Sequence, residues 1–215
     1  TYPFERKRYW VDAQFNKPQE DAIAIYEDLE DWFYVPSWER NMAPLGIDWE
    51  SMDKKGSSWL IFLDNQGIGA NIADSLTKAG QEVLTVTPGE EFAETDYRCF
   101  SVNPDKKEDY QALAEDLGLR QLMPDFIVHL WNIDPEKTEF TVYQEQGFYS
   151  LLWLAQTYAS SSPEIFIVTN GLYDLMGQEA LIPEKMPILG LCQVINQEYP
   201  QIRCRNIDIE GENLL

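Results

Sequence analysis

From Ser58 onward, short apolar runs alternate with stretches whose apolar residues recur every three or four positions. Ser58-Trp-Leu-Ile-Phe-Leu63 suits a strand buried on both faces. A turn, Asp64-Asn-Gln-Gly-Ile-Gly69, leads into a helix with Ile72, Ala73, Leu76 and Ala79 on one face, ended by Gly80. Glu82 to Thr87 reads as a second strand closed by Pro88-Gly89, and Tyr97 to Val102 as a third. Asn103-Pro104 supplies an N-cap and a first-turn proline for a helix that buries Tyr110, Leu113 and Leu117 and stops at Gly118. The cycle repeats with strand Phe126 to Trp131. Next comes a helix over 144–160 whose inner face carries Phe148, Leu151, Leu152, Ala155 and Tyr158, and Ser160-Ser-Ser-Pro163 breaks it. Strand Glu164 to Thr169, a loop, a helix striped by Ile188, Leu191, Cys192, Ile195 and Tyr199, and a strand over Arg203 to Ile209 complete the series.

Strands alternating with amphipathic helices imply right-handed crossovers and a mostly parallel, doubly wound sheet. The expected class is α/β, Rossmann-like, with helices on both faces. Upstream the pattern is less regular. The segment Tyr2-Pro-Phe-Glu-Arg-Lys-Arg-Tyr-Trp10 mixes aromatics with basic groups and has no helical period, so it is expected to lie extended across another surface. Residues 16–31 are acidic, Asp31-Trp-Phe-Tyr-Val-Pro-Ser-Trp38 reads as a strand stopped by Pro36, and turn formers dominate from Met42 to Gly56.

Composition narrows what such a chain can do. With 215 residues and 44% hydrophobic content, it can build one sizeable domain plus a short appendage. It begins at Thr1 without a methionine, so it is expected to be a piece of something longer; no run is apolar and long enough to span a bilayer, and no signal peptide is visible. A net charge of −21, with ten acidic against two basic side chains over residues 11–50, repels nucleic-acid phosphates and anionic membranes. Cys99, Cys192 and Cys204 are odd in number and widely spaced, which argues against a disulfide framework or a zinc site and points to a reducing, cytoplasmic setting. His129 lies in the apolar run Phe126-Ile-Val-His-Leu-Trp131 and is expected to be a buried or sheet-edge histidine.

A Rossmann-like chain invites a test for a nicotinamide dinucleotide at the turn after its first strand. Gly67-Ile-Gly69-Ala-Asn-Ile72 offers two glycines, but Ile72 stands where the third would allow close packing. Short-chain reductases use a Thr-Gly pair, three residues, then Gly-x-Gly; here Phe62 and Leu63 occupy the pair and Asp64 opens the triplet. A carboxylate beside a helix N-terminus opposes a pyrophosphate, so Gly67 and Gly69 are expected to serve a tight strand-to-helix turn. Such reductases also need a tyrosine acid followed four residues later by Lys or Asn. Tyr110, Tyr149 and Tyr158 are followed there by Ala114, Trp153 and Ser162, and none of the other eight tyrosines has Lys or Asn at that spacing. No Gly-x-Ser-x-Gly elbow accompanies His129, and acidic runs such as 27–31 and Glu90-Glu91 read as solvated surface rather than a glycosidase pair.

The residues also carry a family likeness. Tyr2 to Trp10 resembles the segment that follows the acyltransferase domain in type I modular polyketide synthases and wraps over the ketosynthase–acyltransferase linker. Trp32-Phe-Tyr-Val-Pro-Ser-Trp38 is similar to the first strand of their ketoreductase region, and Pro187 to Asp208 to the helix and strand near the end of its structural subdomain. The resemblance implies a post-acyltransferase linker at 1–15, a connecting segment with the ketoreductase's N-terminal strand at 16–57, and a truncated Rossmann-like, short-chain dehydrogenase-like structural subdomain at 58–215. In that family a first half without cofactor supports a second half that binds NADPH and reduces carrier-protein-bound β-ketoacyl groups. This chain is then expected to have no catalytic residue, cofactor or metal of its own, and Trp32, Tyr34 and Trp38 are its interface candidates. Its expected partners are the catalytic half, the other domains of the synthase, through residues 2–10 among others, and the acyl carrier protein. No dehydratase fits between linker and ketoreductase. Two alternatives remain: a pseudo-ketoreductase that buttresses a methyltransferase or enoylreductase, and a free-standing Rossmann reductase with an atypical phosphate loop.

Overall fold

A computed structural model describes residues 56–133, 139–174, 177 and 179–209. All of them fall in the unit Pro44–Leu215. The linker at 1–15, the strand read at Asp31 to Trp38 and the interface candidates Trp32, Tyr34 and Trp38 lie outside the described residues.

Seven strands form one sheet: β1 (Ser58–Phe62), β2 (Glu82–Pro88), β3 (Ala93–Asp96), β4 (Cys99–Val102), β5 (Phe126–Asn132), β6 (Glu164–Thr169) and β7 (Arg203–Asp208). Their order is β3-β4-β2-β1-β5-β6-β7, and every pairing is parallel except β3 with β4. The helices are α1 (Ile68–Lys78), α2 (Lys107–Leu119), α3 (Phe140–Val142), α4 (Ser150–Tyr158) and α5 (Pro187–Glu198), with a π-helical stretch, Tyr143–Tyr149, joining α3 to α4. The expected doubly wound α/β sheet is present.

Period-two alternation divides the core between the two faces of the sheet. Leu60, Phe62, Leu84, Val86, Ile127, Ile165 and Ile167 pack with Tyr110 and Leu113 of α2, Leu151 and Leu154 of α4, and Ile188 and Ile195 of α5. On the other face Ile61, Val128, Leu130 and Val168 pack with Leu76, Ile72 and Ala73 of α1, the only helix that covers this face among the described residues. Beyond α1 this face carries partly buried rings in a row across β1, β5 and β6: Trp59 stacks on Phe126 at 4.3 Å, and Phe126 on Phe166 at 6.4 Å.

Three local expectations are corrected. The strand expected from Tyr97 begins at Cys99, because Tyr97 and Arg98, the latter at φ 60°, turn a hairpin back onto β3. β3 itself, Ala-Glu-Thr-Asp, has no apolar alternation to reveal it; it is a short, acidic, bulged edge strand of the kind that discourages further pairing. Asn103 does not cap α2: the helix starts at Lys107, while the Asn103 Oδ1 accepts from the Asp105 amide in a local turn.

The third correction is the helix expected over 144–160, which starts at Phe140 and includes the π-helical stretch. The wider turn shifts the buried stripe: Tyr143, Gly147, Ser150, Leu151, Leu154, Ala155 and Tyr158 are buried, whereas Phe148 and Leu152 are only partly covered. Gly147 rides on the Asn132 side chain. A Cβ there would lie 2.5 Å from both Asn132 Nδ2 and Oδ1, whereas one at Gly190 in α5 would meet nothing within 4 Å. Helix propensity alone favours Ala at both positions by about 1 kcal/mol. The expected outcome by chemical denaturation is opposite signs: Gly190→Ala stabilises by up to about 1 kcal/mol, and Gly147→Ala destabilises by about 2 kcal/mol.

Candidate functional site

The strand order reverses at β1. The chain runs from β1 to β2 and β4 on one side, then returns to β5, β6 and β7 on the other. In open parallel sheets, ligands bind in the crevice at the carboxyl ends of the strands flanking such a switch point. Here those ends are the turn after β1, with Asp64 to Gly69, and Asn132 at the end of β5.

Gly67 takes a left-handed conformation, φ 92°, which starts α1 abruptly after β1. At Gly69 a Cβ would lie 3.0 Å from Leu63 Cδ2 and 3.3 Å from Leu130 Cδ1, so this glycine permits close approach of helix and sheet. Both behave as expected of a tight strand-to-helix turn. Asp64 does more than stand nearby: its Oδ2 accepts hydrogen bonds from the amides of Gln66 at 2.9 Å and Ile68 at 3.2 Å, and its Oδ1 from Gly69 at 2.6 Å. These are the amides that a dinucleotide's pyrophosphate would need, and a carboxylate already holds them. The side chains at this turn do not fit that group.

Beside the crevice lies a buried polar cluster that the sequence reading missed. Lys185 is 1% exposed although it sits between exposed Glu184 and Met186. Its Nζ donates to the Asn132 carbonyl at 2.7 Å and to Asn170 Oδ1, and lies 5.3 Å from the centroid of the Tyr143 ring. Pro-Glu-Lys-Met-Pro reads as a solvated loop, so no signal announced a buried ammonium here. Thr169 Oγ1 donates to Asp208 Oδ1 at 2.8 Å, and Asp208 Oδ2 accepts from the amides of Leu172 and Tyr173, which fastens the loop after β6 to β7.

The structure thus brings a lysine and a tyrosine together, but not by the four-residue helical spacing. Four residues before Lys185 stands Leu181, 44% exposed. Tyr143 instead comes from the π-helical stretch, turns its ring face to the ammonium and is 3% exposed.

His129 is fully buried, as one of the two expected settings had it. Its ring packs against Phe62 and Trp131, its Nε2 lies 2.7 Å from Ser150 Oγ, and Nδ1 has no hydrogen-bond partner. Removal from water penalises the charged imidazolium and pushes its pKa down to about 3. Cys99, Cys192 and Cys204 are free thiols, with Cys192 on α5 and Cys204 on β7 both buried. Glu90 and Glu91 are exposed, as a solvated surface requires. Among the described residues no group of three His, Cys, Asp or Glu could hold a metal ion, and no helix is long and apolar enough to cross a membrane.

The burial of His129 sets an acid limit. Below the ordinary imidazole pKa of about 6.5 the unfolded chain takes up a proton that the native ring refuses until about pH 3. Its contribution is therefore complete above about pH 6.5 and lost as pH falls, at up to about 1.4 kcal/mol per pH unit. Measured by denaturant titration between about pH 6.5 and 5, wild type is expected to lose stability more steeply than His129→Gln by about that slope.

Comparison with known proteins places these features. A family model described as "Beta-ketoacyl synthase-like, N-terminal" matches residues 58–214. A search of curated proteins finds no match. Among solved structures, the chain is similar to the adenylation, ketoreductase and pseudo Asub multidomain structure of a keto acid-selecting NRPS module: 24% identity over 80% of this chain and 15% of that one, TM-score 0.67. It is also similar to an N-terminal ketoreductase from the macrolactin assembly line, with 20% identity over 73% of this chain and 32% of that one, TM-score 0.59. A third is a short-chain dehydrogenase/reductase family oxidoreductase from Brucella ovis in complex with a partially ordered NAD, 15% identical over 74% and 85% of the two chains, TM-score 0.56. The chain spans only 15% and 32% of the first two. These likenesses establish a Rossmann-like, short-chain dehydrogenase-like fold.

Proposed function

We propose that this chain, which belongs to the beta-ketoacyl synthase-like, N-terminal family, is the structural, non-catalytic half of a ketoreductase in a multidomain synthase. In this role it supports a separate half that binds NADPH and reduces carrier-protein-bound β-ketoacyl groups. The motifs at Tyr2–Trp10, Trp32–Trp38 and Pro187–Asp208 support the reading, as do the ketoreductase-containing proteins among its structural neighbours.

One observation carries the non-catalytic part. Reduction of a ketone needs an acid to protonate the developing alkoxide, and in the short-chain reductase arrangement a tyrosine four residues before lysine supplies it. Leu181 holds that position before Lys185. The ammonium of Lys185 is engaged by the Asn132 carbonyl and Asn170, so it ties the ends of β5 and β6 together rather than facing a substrate. The amides at the start of α1 are spent on Asp64.

A supporting half needs a surface for its partner. The sheet face with the Trp59, Phe126 and Phe166 rings supports that need, since α1 is its only helix among the described residues. The catalytic half and neighbouring domains of the synthase are the proposed partners; the carrier protein's dealings are with the catalytic half.

Isothermal titration of the chain with NADPH tests the reading. The expected result is no saturable heat; saturable binding would overturn the assignment of this chain as the cofactor-free half.

A further inference from the structure

The cofactor-free reading leaves a physical question at the start of α1. The first amides of a helix have no acceptor within the helix, and a Rossmann-like turn ordinarily satisfies them with the ligand's phosphate oxygens. A chain that lacks the ligand must find another acceptor or leave buried N–H groups unpaired. The two oxygens of Asp64 do this work, spread over the amides of Gln66, Ile68 and Gly69 in the manner of two phosphate oxygens.

The packing around Gly69 bears on the same point independently. A Cβ at that position would lie 3.1 Å from Asp64 Oδ1 itself, as well as against Leu63 and Leu130. The glycine that in a nucleotide site lets backbone approach phosphate here lets backbone approach the chain's own carboxylate. Gly67, by contrast, has nothing within 4 Å of a Cβ, so its requirement is conformational, the φ of 92° that opens the turn. Each glycine of the loop thus has a present use that involves no dinucleotide.

We infer that Asp64 is the specificity-determining residue of this turn: an internal anion that takes the place of pyrophosphate, both satisfying the amides and shutting the dinucleotide out. The inference rests on the cofactor-free reading and adds the residue responsible for it. A carboxylate held on these amides repels a second anion and also takes three of the donors it would need, so the turn is closed by occupancy and not merely by the loss of a fingerprint glycine.

Asp64→Ala, which removes the acceptor, and Asp64→Asn, which keeps its size but not its charge, test this in the full chain. Hydrogen exchange read by NMR should show the amides of Gln66, Ile68 and Gly69 exchanging about fivefold or more faster in Asp64→Ala than in wild type, the scale expected for a lost helix cap. Inorganic pyrophosphate, titrated at constant ionic strength, should raise the melting temperature of Asp64→Ala and leave wild type unmoved; Asp64→Asn should respond in the same sense but less. If Asp64→Ala does not fold, the same two measurements on Asp64→Asn decide. Unchanged exchange at the three amides, or equal pyrophosphate shifts in wild type and variant, would overturn the role of Asp64. NADPH binding by wild type would instead overturn the reading beneath it, so the two failures are distinguishable.

Discussion

Backbone N–H groups at the start of a helix must find an acceptor, and in this fold the constraint falls at the point where the strand order reverses. The amides of Gln66, Ile68 and Gly69 face that crevice, and the Asp64 carboxylate takes all three. Closing the turn in this way fixes the first residues of α1, seats Gly69 against Leu63 and Leu130, and anchors the only described helix on its face of the sheet. The Asp64 hydrogen bonds join the end of β1 to the start of α1.

At the ends of β5 and β6 a positive charge is held in a similar way. Lys185 directs its ammonium at the Asn132 carbonyl at the end of β5 and at the Asn170 side chain in the loop after β6. Asp208, on β7, holds the backbone of Leu172 and Tyr173 by two amides and Thr169 by a hydroxyl. Both charges tie strands and loops together. Burying Lys185, and Asp208 in part, costs desolvation that only well-placed partners offset, which is why each meets several donors or acceptors. The opposite face of the sheet, with rings on three adjacent strands, is the side that a supporting half would present to a partner.

How much of this could be read from sequence depended on how the information was stored. Six of the seven described strands announced themselves: β1, β5 and β6 as apolar runs buried on both faces, as in Leu60-Ile-Phe62 or Ile165-Phe-Ile-Val168, and β7 by alternation about Cys204. β3 was invisible because an exposed edge strand has no apolar face to display. The π-helical stretch was hidden because its wider turn serves a long-range contact, Gly147 on Asn132, that local periodicity does not encode. The candidate site was half legible. Asp64 was noticed as a charge hostile to pyrophosphate, and its hydrogen bonds required knowing how the turn folds back on itself. Lys185 was missed altogether, since a lysine between glutamate and methionine in a proline-flanked loop carries every mark of solvent exposure.

The role we propose for this fold is a supporting one, in which it does no chemistry itself. The most direct measurement is the rate of NADPH oxidation by the isolated chain in the presence of a β-ketoacyl thioester. The account predicts a rate no different from that of the enzyme-free blank at every thioester concentration. Saturable turnover that disappears when Lys185 is replaced by Met would contradict it.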